Sequence, residues 1–225
     1  MAENATGSGE AVIRGFTGGV FAENTYLVVC ARTNAGILVD PGAAAGQALA
    51  EARRLGATIE RIVLTHAHVD HVEGLGEAKA ETGAPIYLHP DDNPLYGAAP
   101  TQAEWFGLRM DPLPPVDHPL AAGDVVRFGE CELAVRFAPG HAPGHVILVG
   151  DGVALVGDVI FAGSIGRTDL PGGSLPTLMK SIREQVMTLP DATTLYTGHG
   201  PETTVGHERV SNPFLVPNFG GSSFA

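Results

Sequence analysis

The stretch Ile62-Val63-Leu64-Thr65-His66-Ala67-His68-Val69-Asp70-His71 places three histidines and one aspartate directly after an apolar run. We expect the apolar residues to form a strand that carries the polar cluster at its end. Because side chains alternate between the two faces of a strand, His66 and His68 would point the same way, and Asp70 would as well if the extension continued. His71 follows where the chain turns toward a new helix. Imidazoles and a carboxylate aimed at one point indicate a divalent-metal site, and a solvated polar turn is the alternative.

The composition indicates a folded protein with a large core. Of the 225 residues, 44% are hydrophobic and 17% are charged, which fits one ordinary domain and excludes global disorder. A net charge of −12 argues against a nucleic-acid partner, because the chain has no surplus of basic side chains to replace counterions. The apolar runs have the length of strands, so the sequence predicts no membrane partner.

The two ends of the sequence and its cysteines predict a cytoplasmic location. Residues 1–10 have neither the basic start nor the apolar segment of a signal peptide, and we expect a flexible leader there. Residues 11–218 are expected to form a single domain, and the Gly/Ser-rich residues 219–225 a loose tail. Cys30 and Cys131 stand singly in apolar stretches, which is typical of buried thiols in a reducing compartment, with a disulfide as the alternative.

Strands and helices are predicted in two β-rich halves. In the first half, the pattern predicts strands over 12–16, 25–30, 37–39, 59–64 and 86–89, and helices over 43–55 and 73–82. In the second half, it predicts strands over 125–128, 133–137, 146–149, 153–156 and 193–196, and helices over 175–189 and 203–210. This order favours an α/β (α+β) arrangement in which two sheets pack together and helices cover them outside.

Residues 90–119 are predicted to form a long loop, because proline, glycine and aspartate interrupt every regular pattern there. Loops of this length inside a domain are usually functional or mobile. Trp105 and Phe106 within it would either form a pocket wall or anchor the loop to the core.

Three later strand ends each place a possible metal ligand beside a glycine. They are Gly140-His141, Gly157-Asp158 and Gly198-His199, and glycine there lets the backbone approach a crowded centre. With the first cluster they complete a set of imidazoles and carboxylates: His66, His68, Asp70, His71, His141, Asp158 and His199. Such a set suits two divalent ions that lower the pKa of a shared water and polarise a carbonyl or phosphoryl oxygen, which is hydrolytic chemistry.

The order and spacing of these motifs resemble those of the metallo-β-lactamase-fold hydrolases. The matching segments are residues 65–71 and 139–145, Gly157-Asp158 and Gly198-His199-Gly200. Within that superfamily, Gly163-Ser164-Ile165-Gly166-Arg167-Thr168-Asp169 and Asn212-Pro213-Phe214-Leu215 resemble the short type II glyoxalases, which are hydroxyacylglutathione hydrolases. The resemblance covers residues 12–215 and implies a four-layer αββα sandwich with the metals at one edge, between the sheets.

The resemblance also implies a role for each ligand. One metal would take His66, His68 and His141, the other would take Asp70, His71 and His199, and Asp158 would bridge them. The two ions are expected to be zinc, with iron or manganese as alternatives. A metal-bridging hydroxide oriented by Asp70 would attack the carbonyl of a small-molecule acyl thioester, and the thiolate would leave directly.

Five further residues are weaker candidates for the site. Arg167 would contact a substrate carboxylate or form a surface ion pair with a neighbouring acid. Asn24 and Phe21, in the loop between the first two strands, would line the substrate mouth. Asp40 would orient a metal histidine or cap a helix, and His145 would support a ligand or pack in the core.

The substrate and the reaction class stay open at this point. Longer type II glyoxalases have a C-terminal helical domain that holds part of the glutathione and a tyrosine shortly after the last metal histidine. Here His199 is followed by Gly200-Pro201-Glu202, and we expect no such domain.

Other reactions are known on the same fold. Persulfide dioxygenases share the fold and the Gly-Arg-Thr-Asp signature, and their single iron would here use His66, His141 and Asp158. Lactonase and phosphodiesterase activities are further alternatives on the same metal centre. A binding module without catalysis would be expected to lose one or more ligands, and the sequence retains all of them.

Overall fold

Two six-stranded sheets form the centre of the fold in the computed structural model, which describes residues 10–216. The first sheet contains, in spatial order, β1 (Ala11–Gly18), β2 (Glu23–Cys30), β3 (Ala35–Val39), β4 (Thr58–Val63), β5 (Ile86–Leu88) and β6 (His118–Pro119). The chain continues through β7 (Val125–Phe128), β8 (Cys131–Phe137), β9 (Val146–Val149), β10 (Val153–Gly157), β11 (Ile160–Phe161), β12 (Ser164–Ile165), β13 (Thr194–Thr197) and β14 (Thr203–Thr204). The second sheet has the order β14-β13-β10-β9-β8-β7, and β11 pairs with β12 in a separate ribbon.

Helices lie between and after the strands of both halves. They are α1 (Ala45–Leu55), α2 (Val69–Val72), α3 (Leu75–Thr82), α4 (Asn93–Trp105), α5 (Leu175–Ser181) and α6 (Val205–Ser211). A 3₁₀ turn, Pro90–Asp92, precedes α4, and a π-helical segment, Ile182–Val186, continues α5. Within residues 10–216, no helix is long and apolar enough to cross a membrane.

Three hydrophobic clusters of the described residues lie between four layers, which are helices, the first sheet, the second sheet and helices. All eight residues of β2 are buried, and residues 26–30 alternate between two of the clusters. Leu27 belongs to a cluster shared with α1 and α3, whereas Val28 belongs to a cluster between the two sheets. A third cluster joins the second sheet to α5, where Leu178 is fully buried. The αββα sandwich expected from the resemblance is therefore confirmed. Cys30 and Cys131 are both buried and form no disulfide.

The prediction of one long loop over 90–119 is wrong, because residues Asn93–Trp105 form α4. Its first turn accommodates Pro94, where a missing N–H costs nothing, and the helix also contains Pro100. Leu95, Ala99 and Ala103 recur at four-residue spacing and are buried, so packing of this stripe outweighs the prolines. The prolines and the glycine in this segment favour a loop by local pattern, so the sequence-based prediction missed the buried stripe.

The extension on which the direction of Asp70 was made conditional does not continue through the histidine cluster. Strand β4 ends at Val63, and Asp70 and His71 belong to the single helical turn α2. Strand alternation is therefore not what directs Asp70. Two smaller boundaries shift as well, because the α-helix predicted over 175–189 becomes π-helical after Ser181 and the last helix begins after β14.

The predicted tail, 219–225, and the predicted leader up to residue 9 lie outside the described residues.

Asp92, at the end of the 3₁₀ turn, connects loops from both sheets. Its side chain is fully buried, and its carboxylate accepts hydrogen bonds from the backbone N–H of Ala67 at 2.9 Å and of Gly144 at 2.5 Å. Ala67 lies in the loop after β4, and Gly144 lies in the loop after β8. Burial raises the pKa of Asp92 to about 6, against the two hydrogen bonds, which lower it. Asp92 therefore holds two histidine-bearing loops together.

We predict that Asp92→Asn lowers the free energy of unfolding by about 1–3 kcal/mol. An amide has only one acceptor oxygen, so one of the two backbone N–H groups would be buried opposite an NH₂ group without a partner. Urea denaturation of the wild type and the variant measures the difference.

The neighbouring Asp91→Asn is the matched control, because the Asp91 side chain is 61% exposed. This variant should stay within about 0.5 kcal/mol of the wild type. Equal losses in the two variants would show that Asp92 does not hold the loops.

Candidate metal centre

The seven predicted ligands meet at one edge of the sandwich, in the loops that follow β4, β8, β10 and β13. Among the described residues, three groups of three have ligand atoms that all lie within 4.8 Å of one another, and one of them combines Asp40 with His66 and His71. The other two consist of predicted ligands only: His66, His68 and His141, and Asp70, His71 and His199. These are the two groups expected from the resemblance.

Asp158 lies between the two groups. Its Oδ2 atom is 3.4 Å from Nε2 of His141 in the first group and 3.4 Å from Nε2 of His199 in the second. Its Oδ1 atom is 3.4 Å from Nε2 of His71. The two oxygens of one carboxylate therefore reach both groups.

Several nitrogen and oxygen atoms that could bind a metal ion at this centre are buried and have no hydrogen-bond partner within residues 10–216. They are Nε2 of His66, His68 and His71, and Oδ1 of Asp158. Buried polar atoms of this kind are rare in folded proteins, because each one loses its water and gains nothing in exchange. A metal ion supplies the missing interaction, and imidazole nitrogens with carboxylate oxygens are donors that zinc, iron and manganese accept. The residues present therefore fit metal ions.

Four of the five imidazoles direct Nδ1 outward to an oxygen atom. The pairs are His66 with Thr65 Oγ1 at 3.1 Å, His71 with Asp40 Oδ2 at 3.1 Å, His141 with the carbonyl of Arg167 at 2.8 Å, and His199 with the carbonyl of Phe21 at 3.0 Å. A hydrogen bond from Nδ1–H fixes the orientation of the ring and leaves Nε2 as the ligand atom. In the fifth, His68, Nδ1 lies 2.8 Å from Nε2 of His141.

Asp40 has the contacts expected of a residue that orients a metal histidine. Besides His71, its carboxylate accepts hydrogen bonds from the backbone N–H of Thr65 at 2.7 Å and from Thr65 Oγ1 at 2.6 Å. Its backbone is in the left-handed region, at φ 48°, which brings the side chain under the loop. Helix α1 starts after Ala44 without a side-chain cap, so Asp40 does not cap it.

His145 supports Asp158 and does not belong to either ligand group. Its Nε2 accepts a hydrogen bond from the backbone N–H of Asp158 at 3.1 Å. Its ring stacks on that of His66, with centroids 4.7 Å apart and planes inclined by 19°. Burial lowers the pKa of His145 well below its usual value, so the ring is neutral and Nε2 can accept.

The three predicted substrate contacts have different surroundings. The guanidinium of Arg167 pairs with both carboxylate oxygens of Asp169 at 2.7 and 2.8 Å, so the surface ion pair is what the structure contains. Asn24 is buried and donates to the carbonyls of Thr197 and Gly200, so it holds the His199 loop and does not line the mouth. Phe21 lines the cavity described below, as predicted.

Burial keeps the imidazoles of the first group neutral. It lowers the pKa of His68 to about 3, and the adjacent His141 adds to that effect. Burial also lowers the pKa values of His66 and His141. Neutral imidazole is the form that binds a metal ion, so this group is prepared for a ligand role.

Carboxylates give the second group the opposite character. Burial lowers the pKa of His199, but hydrogen bonds to Asp158 and Asp70 outweigh burial and raise it to about 10. The same carboxylates raise the pKa of His71 against burial. The second group therefore favours positive charge, which protons or a metal ion can supply.

Glycines beside the ligands are required by crowding. A Cβ atom on Gly198 would lie 2.0 Å from Oδ1 of Asp158, and one on Gly157, whose φ is +47°, would lie 2.8 Å from Nε2 of His145. The sequence-based reason for these glycines, close approach to a crowded centre, therefore agrees with the structure.

Two buried acids near the centre are absent from the sequence-based set. One is Asp92. Its position just before Asn93-Pro94 is typical of a residue that precedes a helix, and nothing else in the local sequence indicates its role. The other is Glu23, which is fully buried with Oε1 4.0 Å from Nδ1 of His71. Burial raises the pKa of Glu23 well above its usual value, against the attraction of His71. Nothing in its local sequence indicates this position.

A cavity of about 370 Å³ opens beside the two ligand groups. His68, Asp70, His141, Asp158 and His199 form its floor. Apolar side chains form most of the remaining lining: Phe21, Val69, Leu95, Trp105, Phe106, Phe161, Ile165, Leu170 and Pro171. Of the two alternatives for Trp105 and Phe106, the structure supports the pocket wall.

Two relatives are similar in sequence to this chain over most of its length. It is 38% identical over 183 residues to the probable metallo-hydrolase YqgX of Bacillus subtilis, covering 80% of this chain and 86% of YqgX. It is 36% identical over 199 residues to the hydroxyacylglutathione hydrolase GloC of Haemophilus influenzae, covering 87% of this chain and 93% of GloC.

A solved structure and a family description match this chain over most of its length. The crystal structure of TTHA1623 in a di-iron-bound form superposes with a TM-score of 0.82 at 38% identity, covering 90% of this chain and 100% of that one. Residues 18–199 match the description of the metallo-beta-lactamase superfamily. Since the match spans most of the chain and its relatives exceed 30% identity, the protein belongs to the metallo-β-lactamase superfamily.

Proposed function

We propose that this protein is a dinuclear metal-dependent hydrolase that cleaves a small-molecule acyl thioester of the S-2-hydroxyacylglutathione type. The observation that carries the proposal is the position of Asp158, whose oxygens lie 3.4 Å from ring nitrogens of both ligand groups. One carboxylate shared by two groups of buried ligands suits two ions side by side. The 36% identity to a protein named hydroxyacylglutathione hydrolase supports the thioester part.

The reaction requires little acid catalysis from the protein. Two bound divalent ions, zinc, iron or manganese, would acidify a water molecule and polarise the thioester carbonyl. In hydrolysis the acyl carbon gains the water oxygen and the carbon–sulfur bond breaks, so the products are a carboxylic acid and a thiol. Thiols have pKa values of about 8.5, so the sulfur leaves readily with its electron pair and takes up a proton from solvent.

Asp70 is the group best placed to orient the attacking water. Its carboxylate lines the cavity and lies 3.2 Å from Nε2 of His199. Burial raises the pKa of Asp70, but His71 and His199 outweigh burial and keep it below its usual value. The ionised carboxylate can therefore accept a hydrogen bond from the water and direct the water oxygen toward the carbonyl carbon.

The single-iron alternative explains fewer of the buried atoms. A persulfide dioxygenase site would use His66, His141 and Asp158 only. The buried Nε2 atom of His71, which has no hydrogen-bond partner among residues 10–216, would then remain uncompensated. Two ions would use all seven predicted ligands, so we favour hydrolysis.

We predict about two equivalents of divalent metal per chain in the purified protein. His68→Ala should reduce the content to about one equivalent, because the first group loses one of its three ligands. Elemental analysis of both proteins provides the measurement. The control is His207→Ala, which removes an exposed histidine of α6 and should retain two equivalents.

One equivalent in the wild type would contradict the dinuclear assignment. Full metal content and full activity in His68→Ala would contradict the ligand assignment itself.

We further predict that the metal-loaded protein releases thiol from S-lactoylglutathione or from another acyl thioester in a panel, followed with a thiol reagent. Asp70→Asn should lower kcat about a hundredfold or more, because a neutral amide oxygen is a weaker acceptor for the water and a weaker metal ligand than a carboxylate. Asp151→Asn, at an exposed turn, is the control and should be as active as the wild type. Metal content is measured on each variant, so that loss of an ion is distinguished from loss of orientation.

Failure to release thiol from every member of the panel would overturn the thioester assignment. Ring opening of a lactone or cleavage of a phosphodiester in its place would favour those hydrolases. Oxygen uptake with glutathione persulfide, by protein containing one iron, would favour the dioxygenase.

A further inference from the structure

An aromatic wall, which we define as Phe21, Trp105, Phe106 and Phe161, encloses the cavity beside the metal centre. Phe21 lies in the turn between β1 and β2, Trp105 and Phe106 lie at the end of α4, and Phe161 lies in β11. The rings of Phe21 and Phe106 meet edge to face with centroids 4.9 Å apart, which joins two distant parts of the chain across the mouth. The edge of Phe161 faces His199 at 5.8 Å.

The outer part of this wall is exposed to solvent. Trp105 is 71% exposed and Phe106 is 51% exposed, although both belong to a helix whose other face is buried. Covering a large aromatic side chain with apolar atoms lowers the free energy, because apolar surface is removed from water. Trp105 and Phe106 therefore favour an apolar group placed against them. Their location at the cavity mouth means that a ligand at the metal centre would provide that group.

The cavity offers no unpaired cation to a substrate carboxylate. Outside the ligand groups its polar lining, within the described residues, consists of Gln102, Ser164 and Arg167. Arg167 is already bonded through two nitrogens to the carboxylate of Asp169. Asp70 and Asp158, at the floor, belong to the set that would hold the metal ions, which would offset their charge, whereas the whole chain carries a net charge of −12. Glutathione carries two carboxylates, and this lining does not compensate them.

We propose that the preferred substrates are acyl thioesters with an aliphatic or aromatic group and an uncharged thiol part, bound by the aromatic wall, and that glutathione thioesters are the poorer substrates. The proposal rests on the thioester hydrolysis proposed above and narrows its substrate class, with an uncharged thiol part in place of the glutathione named there. It assigns substrate selection to Trp105 and Phe106.

The kinetic test compares pairs of thioesters that differ in one feature. S-Hexanoyl-N-acetylcysteamine and S-hexanoylglutathione have the same acyl chain, but the thiol part is uncharged in the first and charged in the second. S-Acetyl-N-acetylcysteamine has the uncharged thiol part and lacks the apolar chain. We expect kcat/KM to be at least about tenfold higher for the uncharged hexanoyl compound than for either of the others. Equal values for all three, or a preference for the glutathione thioester, would overturn the proposal.

Variants test which side chains make the selection. Trp105→Ala and Phe106→Ala should each lower the ratio of kcat/KM between the hexanoyl and acetyl N-acetylcysteamine thioesters about tenfold, mainly through KM. Phe214→Ala is the matched control, because Phe214 is 51% exposed, as Phe106 is, but does not line the cavity. An unchanged ratio in both wall variants would overturn the assignment of selection to them.

A binding measurement separates this proposal from the proposed reaction. Trp105 is the only tryptophan in the sequence, so intrinsic fluorescence reports on the cavity mouth. The non-hydrolysable thioethers S-hexyl-N-acetylcysteamine and S-hexylglutathione are titrated into the wild type. We expect the uncharged thioether to change the fluorescence at a lower concentration, even if the protein hydrolyses no thioester.

The opposite result has a structural explanation that can be checked. If S-hexylglutathione binds more tightly and Arg167→Ala weakens only that ligand, Arg167 exchanges Asp169 for a substrate carboxylate and our proposal is overturned. Binding of the uncharged thioether without any thioesterase activity would retain the apolar cavity and reject the proposed reaction.

Discussion

The rest of the structure depends on one constraint, the burial of nitrogen and oxygen atoms that have no hydrogen-bond partner in the described part of the chain. Nitrogens of three histidines and one oxygen of Asp158 are buried at the edge of the sandwich without such a partner among the described residues. The surrounding chain orients the rings from outside, because Asp40 accepts from His71 and backbone carbonyls accept from His141 and His199. Because these loops come from both sheets, the centre exists only when the sheets are packed together. The backbone hydrogen bond from Val146 to Thr65, at 2.8 Å, is one such link.

Helix α4 joins the metal centre to the cavity. Asp92, just before the helix, holds the loops that carry the first ligand group. The helix itself, Asn93–Trp105, ends at a side chain of the aromatic wall. A buried stripe fixes the helix between these two points despite Pro100. The position of the wall relative to the metal centre therefore depends on one element whose start is bonded to the ligand loops.

In the proposed hydrolase, the reaction and the selectivity would be carried by different parts of the site. The reaction depends on polar side chains in loops after β4, β8, β10 and β13, where a small displacement would separate donors that must converge. Selectivity depends on apolar side chains from the β1–β2 turn and the end of α4, where shape and area matter more than direction. Substitution in the aromatic wall can therefore change the substrate without altering the ligands, which fits a superfamily whose members share a fold and differ in function.

The sequence by itself predicted the seven-residue set and most of the strands and helices, because metal ligands, glycines and apolar alternation are local patterns, and the resemblance of its motifs to a known superfamily implied the sandwich. Tertiary structure alone decided the roles of Asp92 and Glu23 and the buried position of Asn24. It also decided that residues Asn93–Trp105 are helical. The physical reason is that burial and hydrogen bonding depend on partners distant in the chain. Asp92 is bonded to residues 25 and 52 positions away, and Asn24 to one 173 positions away. No local pattern records such partners, so they become visible only when the sheets and helices are packed together.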